Sequence, residues 1–170
     1  MAVILTLAEL LDGRDVPVGV EWVVFNGEEL GGVGDLEYLR RCRGALDGII
    51  AAINIDGVGQ ELGTASIATF AASAAFVGHV SSLVREGFLG VVAVALWPAS
   101  DHYTFYSNGV PSIALTSSGQ ANVLHRPADT IEWMSAARLS EVVALTADLI
   151  GSLQDKDPSW GRTTGQDPVG

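Results

Sequence analysis

The apolar residues of the chain recur in two patterns, and each pattern predicts one type of secondary structure. Apolar residues three or four positions apart predict amphipathic helices, and short apolar runs rich in Val, Ile and aromatic residues predict buried strands. The helical pattern occurs in residues 2–11, 34–43, 73–86, 100–106 and 135–154. The strand pattern occurs in residues 20–25, 49–55, 63–70, 91–95 and 111–116.

The alternation of these segments predicts an α/β fold. The order strand, helix, strand over residues 20–55 predicts a right-handed parallel crossover, in which Leu36 and Leu39 of the helix point inward. We therefore expect one domain over residues 1–154, with a mostly parallel mixed sheet flanked by helices. Residues 155–170 are rich in Gly, Pro and polar residues, which predicts a disordered C-terminal tail.

The charge balance narrows the choice of partners. The chain has 9 Lys and Arg against 20 Asp and Glu, which gives a net charge of -11. Such a charge argues against nucleic acid or an anionic membrane surface as a partner. It favours a divalent cation or a cationic group on a substrate.

Two further features leave the compartment of the protein open. Cys42 is the only cysteine, so no internal disulfide is possible. The apolar residues 1–11 lack a basic leading segment and are too short to span a bilayer, so we expect neither a signal peptide nor a membrane span here. The oligomeric state cannot be predicted from these features.

Carboxylates follow two of the predicted strands. Glu28 and Glu29 come after residues 20–25, and Asp56 comes directly after residues 49–55. In a parallel sheet these side chains gather at the carboxyl ends of the strands, where open α/β sheets bind ligands. The adjacent Glu28 and Glu29 are either solvated in a turn or paired with a cation. Asp56 also has a simpler explanation, because an Asp-Gly sequence after a strand is a common turn.

Histidines supply the second kind of candidate ligand. His125 lies in a loop before the last predicted helix, whereas His79 falls in the middle of a helix and is best explained by packing. Asp101 and His102 follow Ser100, which has the character of a helix N-cap. Carboxylates with an imidazole are typical zinc ligands, and a spare carboxylate can deprotonate a water, so the set is consistent with a zinc hydrolase.

Four motifs in order carry a specific resemblance. They are FNGEELGGVG at residues 25–34, NIDGVG at 54–59, SDHYTF at 100–105 followed by GVPSIA at 109–114, and HRPADT at 125–130. Together they resemble the di-zinc aminopeptidase family of the bacterial leucyl aminopeptidases, which also contains glutaminyl cyclases and the protease-like domain of transferrin receptors. The resemblance covers residues 1–153 and implies a three-layer zinc-exopeptidase-like fold.

The resemblance also implies roles for individual residues. Glu28 would be the general base or acid acting on a zinc-bound water, Glu29 and His125 would hold one zinc, and Asp56 would hold the other. Asp101 and His102 would be pocket residues or would support the ligands. A tyrosine that precedes the ligand histidine in many relatives is replaced by Leu124. The implied substrate is a peptide or aminoacyl compound with a free N-terminus.

The main departure from the family pattern concerns two other zinc ligands. The family has a His-x-Asp segment and a bridging aspartate, both before the helix that precedes the Glu-Glu strand, and that helix begins here at Met1. Asp12 and Asp15 are poor substitutes because they follow the helix, about 15 Å from its start. The resemblance therefore implies an N-terminally truncated domain with impaired activity and an incomplete sheet that has an exposed edge.

Two other functions stay open. The chain could be a non-catalytic, peptidase-like interaction domain, or it could be a relative of the glutaminyl cyclases, which use one zinc held by an Asp, a Glu and a His. The retained Glu28, Glu29, Asp56 and His125 favour the peptidase.

Overall fold

The computed structural model describes residues 1–14, 16–42, 45–97, 99–119 and 125–163. The helices α1 to α5 are Ala2–Leu11, Val33–Arg41, Ala74–Gly87, His102–Tyr106 and Ala136–Ser152. The strands β1 to β4 are Ala52–Ile55, Thr64–Phe70, Val92–Ala93 and Ser112–Ser118. Short 3-10 helices are Glu28–Leu30, Leu46–Gly48 and Ile131–Trp133.

The sheet is open and mixed, in the order β1-β4-β2-β3. β1 runs parallel to β4 and β2 runs parallel to β3, whereas β2 and β4 are antiparallel. The antiparallel pair is the longest, and it joins every residue of β2 to a residue of β4. This arrangement confirms the predicted α/β class with a mostly parallel mixed sheet.

Helices cover both faces of the sheet, because side chains along each strand alternate between two apolar layers. Ile67, Ile113 and Leu115 point into the larger core, which α1, α3 and α5 complete. Ala68 and Ala114 point into a smaller aromatic layer beneath α4. None of the helices among the described residues is long and apolar enough to cross a membrane.

The bounds of most elements follow the sequence pattern closely. α1 has the predicted limits, and α3 begins after Ser73, whose hydroxyl accepts a hydrogen bond from the backbone N–H of Phe76. The N-cap side chain satisfies one of the free amides of the first turn. α5 buries Leu145 and Leu149 against α1 and α3, as its apolar spacing predicts.

The prediction of a strand over residues 20–25 is wrong for this structure. These residues have the composition of a strand but belong to no sheet, and β1 is shorter than predicted, since it begins at Ala52. A strand needs a neighbouring strand for its backbone hydrogen bonds, and none of the four strands in the described part of the chain pairs with residues 20–25. The predicted parallel crossover is therefore not formed, and the edge of β1 is exposed, as we expected.

The inward face of α2 also differs from the prediction. Leu36 is 63% exposed, whereas Asp35 is buried and accepts a hydrogen bond of 2.7 Å from Thr104. A side chain on Gly34 would contact the backbone oxygen of Asn26 at 2.6 Å, so this glycine lets α2 approach the preceding turn closely. That approach sets the rotation of the helix and directs Asp35 inward.

The predicted disordered tail begins too early, because residues 155–163 pack on the domain. The ring of Trp160 lies 5.7 Å from that of Phe76. Arg162 donates hydrogen bonds to the carbonyl oxygens of Gly109 and Leu46, both at 2.6 Å, and of Ile49 at 3.1 Å. The composition of residues 155–163 is typical of disorder, so it did not predict these contacts. Residues 164–170 lie outside the described residues.

Candidate metal centre

Glu28 and Glu29 lie in a tight 3-10 turn between two glycines. Gly27 and Gly31 have φ values of 78° and 86°, in the left-handed region that favours glycine. A Cβ on Gly27 would also come within 2.4 Å of the Val33 side chain. The turn therefore depends on glycine, and it presents both carboxylates at the start of α2.

Glu29 and His125 lie together despite their distance in the sequence. Nδ1 of His125 is 3.4 Å from Oε1 of Glu29, and the two side chains are 79% and 72% exposed. His125 has a φ of 58°, which bends the chain at this point. An imidazole and a carboxylate thus face each other in an open, solvent-accessible position.

Asp56 directly follows the last residue of β1 and is oriented by neighbouring side chains. Its backbone N–H donates to Leu115, and its Oδ2 accepts a 2.8 Å hydrogen bond from the hydroxyl of Ser100. Ser100 in turn accepts from Nδ2 of Asn54 at 2.9 Å. The predicted N-cap role of Ser100 is therefore wrong, because its side chain bonds to Asp56 while Asp101 occupies the cap position of α4.

His102 lies behind this chain of hydrogen bonds and is fully buried among aromatic rings. Its Nε2 donates to the carbonyl oxygen of Trp97 at 2.8 Å, so Nδ1 is left to accept from Nδ2 of Asn54 at 3.3 Å. Burial lowers the pKa of this imidazole and so favours its neutral form. In this structure His102 contacts Asn54, which positions Ser100 and through it Asp56.

Asp101 faces Asp35 in a poorly solvated position. Oδ1 of Asp101 and Oδ2 of Asp35 are both buried and have no hydrogen-bond partner among the described residues. Burial, with the negative charges of Asp35, Glu28 and Asp56, raises the pKa of Asp101 to about 6. A proton held on Asp101 relieves the repulsion between the two carboxylates. Glu28, Asp35 and Asp101 line one cavity of about 350 Å³.

The structure brings the expected residues together only in part. Glu29 lies beside His125, and Asp56 is held separately by Ser100. The described residues contain no group of three acidic, His or Cys side chains able to hold one metal ion. His79 packs on Trp160, away from these residues. Asp15 and Leu124 lie outside the described residues.

Sequence reasoning missed the roles of Asn54 and Asp35. The sequence did contain a signal for Asn54. An amide inside an apolar strand is unusual, and a buried amide normally has hydrogen-bond partners. Asp35 had none, since an acid in the first turn of a helix is ordinarily explained by the helix dipole.

Comparisons with known proteins identify the family. The model of Peptidase family M28 matches residues 1–150. The sequence matches none of the curated proteins with which it was compared.

Several solved structures share this fold. A zinc aminopeptidase from Bacillus subtilis has a TM-score of 0.76 at 20% identity, over 96% of this chain and 43% of that one. The LapA aminopeptidase of Legionella pneumophila has a TM-score of 0.72 at 12% identity, over 91% and 45% of the two chains. An aminopeptidase from Aneurinibacillus sp. strain AM-1 has a TM-score of 0.74 at 22% identity, over 99% and 40%.

The TM-scores establish a shared fold, and the chain spans less than half the length of each of the three proteins. The family match covers most of the sequence and agrees with the order of motifs around Glu28, Asp56, Ser100 and His125. The chain belongs to Peptidase family M28.

Proposed function

We propose that this chain is part of the catalytic domain of a zinc aminopeptidase, which hydrolyses N-terminal peptide bonds. In this proposal Glu29 and His125 hold one zinc ion, Asp56 contributes to the site of a second, and Glu28 is the general base. The family match and the zinc aminopeptidases among the solved relatives support this reading. Asp101 and His102 support the site and touch no reacting atom.

The observation that carries the proposal is the pairing of Glu29 with His125. Two ligands of a tetrahedral zinc, each about 2.0–2.2 Å from the ion, lie roughly 3.4 Å apart. Nδ1 of His125 and Oε1 of Glu29 are separated by 3.4 Å. The two side chains fit a shared ion in spacing and in chemistry, and both are accessible from solvent.

The residues around this pair suit the chemistry of peptide hydrolysis. Zinc, when bound, would lower the pKa of a water and polarise a carbonyl group. Glu28 would take the proton from the attacking water and return it to the leaving amine. The acidic cavity beside Glu28 would attract the protonated N-terminal amine of a substrate.

We expect this activity to be impaired in the chain as it stands. Among the described residues no three candidate ligands converge on one position. Two zinc ions about 3.5–4 Å apart need a bridging anion to offset their repulsion, and Asp12, at the far end of α1, is badly placed to provide it. Zinc binding should therefore be weak and turnover low.

Hydrolysis of aminoacyl chromogenic substrates, measured with and without added zinc, tests the proposal. Slow, zinc-dependent release that Glu28→Gln abolishes is the expected result. Glu9→Gln is the matched control, because Glu9 is exposed on α1 and remote from the site. Hydrolysis that persists in Glu28→Gln would contradict the assignment of the base. Rapid turnover that Glu28→Gln abolishes would support the base but contradict the expected impairment.

A further inference from the structure

The cavity of about 350 Å³ between α2 and α4, here called the α2–α4 cavity, holds a buried carboxylate that lacks one partner. Asp35 is 6% exposed, and its Oδ1 accepts the hydrogen bond from Thr104. Its Oδ2 has no hydrogen-bond partner among the described residues. A Cβ on Gly32, which also lines the cavity, would lie 3.4 Å from this Oδ2, so the absence of a side chain at Gly32 leaves the oxygen facing the cavity. A buried charged oxygen without a partner is costly, and this one can accept a hydrogen bond from a ligand.

A second carboxylate with an unsatisfied oxygen lines the same cavity. Oδ1 of Asp101 is buried and also lacks a partner in the described part of the chain. None of the ion pairs formed by described residues includes Asp35 or Asp101. The two carboxylates are therefore not neutralised by a basic side chain of the described structure.

Apolar side chains line the cavity beside these carboxylates. Leu36 and Leu39 extend from α2, and Tyr103 extends from α4. Leu36 is 63% and Tyr103 54% exposed, although both have large apolar surfaces. Exposed apolar groups next to buried carboxylates suit a ligand that has an apolar stem and a cationic end. The cavity volume is also much larger than the roughly 30 Å³ share of one water, so an organic group can enter.

We propose that the α2–α4 cavity binds a primary ammonium group at the end of an unbranched apolar stem, as in a lysine side chain or a free alkyl amine. The ammonium donates to Oδ2 of Asp35 and to Oδ1 of Asp101. Because both oxygens are covered in the structure, the ammonium separates the two carboxylates as it enters. The stem packs on Leu36 and Leu39. This inference goes beyond the proposed function, which uses only the overall charge of the cavity and no contact with Asp35.

Other cations are poorer occupants of this cavity. The described residues contain no group of three acidic, His or Cys side chains able to hold one metal ion, and Ca²⁺ takes about six to eight oxygen ligands. A guanidinium binds best with its planar fork on two oxygens of one carboxylate. Asp35 offers one free oxygen, because Thr104 already donates to the other, so a compact ammonium fits better.

NMR of the leucine methyl groups, measured on the full chain with a chelator present, tests the proposal. At about pH 8 Asp101 is ionised, because its pKa is about 6. The probe is N-acetyl-lysine methylamide, which has a side-chain ammonium but no free N-terminus, so the result does not depend on zinc or on hydrolysis. It should shift the methyl signals of Leu36 and Leu39 with a dissociation constant of about 1 mM. The matched N-acetyl-norleucine methylamide has an uncharged side chain and should bind at least about tenfold more weakly.

Three variants locate the binding site. Asp35→Asn removes the charge and should weaken binding of the lysine probe by about tenfold or more, with the signals of the buried Leu149 reporting an intact core. Asp148→Asn removes an exposed acid of α5 that does not line the cavity, so it should leave the affinity unchanged. Leu36→Ser, at an exposed position where folding is not at risk, should weaken binding by about threefold, because the stem loses an apolar contact.

A titration with n-butylamine separates the two sources of the ammonium. Equal or tighter binding of n-butylamine, compared with the lysine probe, would support a site that recognises only an ammonium and its stem, as in a free amine. Tighter binding of the lysine probe would support a site for a lysine side chain of a peptide.

Four results would overturn the proposal. The first is the absence of any shift at Leu36 and Leu39 with about 20 mM lysine probe, a concentration that detects even weak binding. The second is equal affinity for the norleucine probe, and the third is wild-type affinity for the lysine probe in Asp35→Asn. The fourth is a shift caused by calcium alone, in a sample without chelator, when the lysine probe causes none, because the cavity would then hold a metal ion.

Discussion

The hydroxyl of Ser100 donates a 2.8 Å hydrogen bond to Oδ2 of Asp56, and so ties the loop before α4 to the carboxyl end of β1. The same hydroxyl accepts from Asn54, whose other amide hydrogen reaches His102. Each hydrogen atom in this series has one acceptor, and the hydroxyl of Ser100 orients the carboxylate of Asp56. A buried histidine is thereby connected to a candidate metal ligand.

Removing the Ser100 hydroxyl should weaken metal binding without unfolding the protein. Partners that orient a ligand contribute about 10–100-fold to metal affinity, and Asp56 is exposed, so we expect a loss near the lower limit in Ser100→Ala. Competition with a fluorescent zinc chelator measures this. Ser140→Ala, which removes an exposed hydroxyl of α5, is the control. Equal affinity of Ser100→Ala and the wild type would show that the hydrogen bond plays no part.

Asp101 should make the stability of the protein depend on pH. Its pKa in the folded state is raised to about 6 from 3.8, so the folded chain binds this proton more tightly than the unfolded chain. The stabilisation is complete below the unfolded value, and it is lost as the pH rises through the folded value.

The variant Asp101→Asn cannot ionise, so it should gain stability over the wild type as the pH rises from about 4 to about 7.5. Urea unfolding in the presence of a chelator measures the difference at each pH. Asp12→Asn, which changes an exposed acid past the end of α1, controls for the general loss of a negative charge. An advantage of Asp101→Asn that stays constant with pH would contradict the raised pKa.

Arg162 should stabilise the domain although it lies in the C-terminal segment. Its side chain donates to the carbonyl oxygens of Gly109, Leu46 and Ile49, and so ties this segment to two loops of the domain. Arg162→Ala should lower the free energy of unfolding by about 2–3 kcal/mol, the value expected for charged hydrogen bonds.

The control for Arg162 is Arg138→Ala, since Arg138 forms only an exposed ion pair with Glu141 at 3.7 Å and should contribute less than about 1 kcal/mol. Chemical unfolding compares the two variants. Equal losses of stability would mean that the hydrogen bonds of Arg162 do not stabilise the domain.

The sequence pattern correctly predicted those elements whose burial in the folded domain matches their own apolar spacing. α1 and α5 bury the faces that their apolar spacing predicts, and the strands β2 and β4 pair with each other. Residues 20–25 have an equally strong pattern but form no strand, because a strand depends on a neighbour that a local pattern cannot specify. The burial of Asp35 depends on the close approach of Gly34 to the backbone of Asn26 in the turn before α2, a contact that the apolar pattern of the helix does not specify.

The sequence could point to candidate site residues that lie in a recognisable motif or directly follow a strand. The resemblance implies that Glu29 and His125 share a zinc ion; in the structure Nδ1 of His125 lies 3.4 Å from Oε1 of Glu29, and their binding of zinc stays a prediction. The link from His102 through Asn54 and Ser100 to Asp56 needed three-dimensional coordinates, since its members come from different elements. Sequence motifs name such residues without giving their partners.

The most direct test of the proposed zinc site is a zinc titration followed by NMR of the histidine ring nitrogens. The chain has 3 histidines, and two of them serve as internal controls. His102 is buried and bonded to Trp97, and His79 packs on Trp160. We predict that zinc shifts only the ring signals of His125, and that Glu29→Gln weakens this response. A response from His79 or His102 with none from His125, or a His125 response that Glu29→Gln leaves unchanged, would contradict the proposed site.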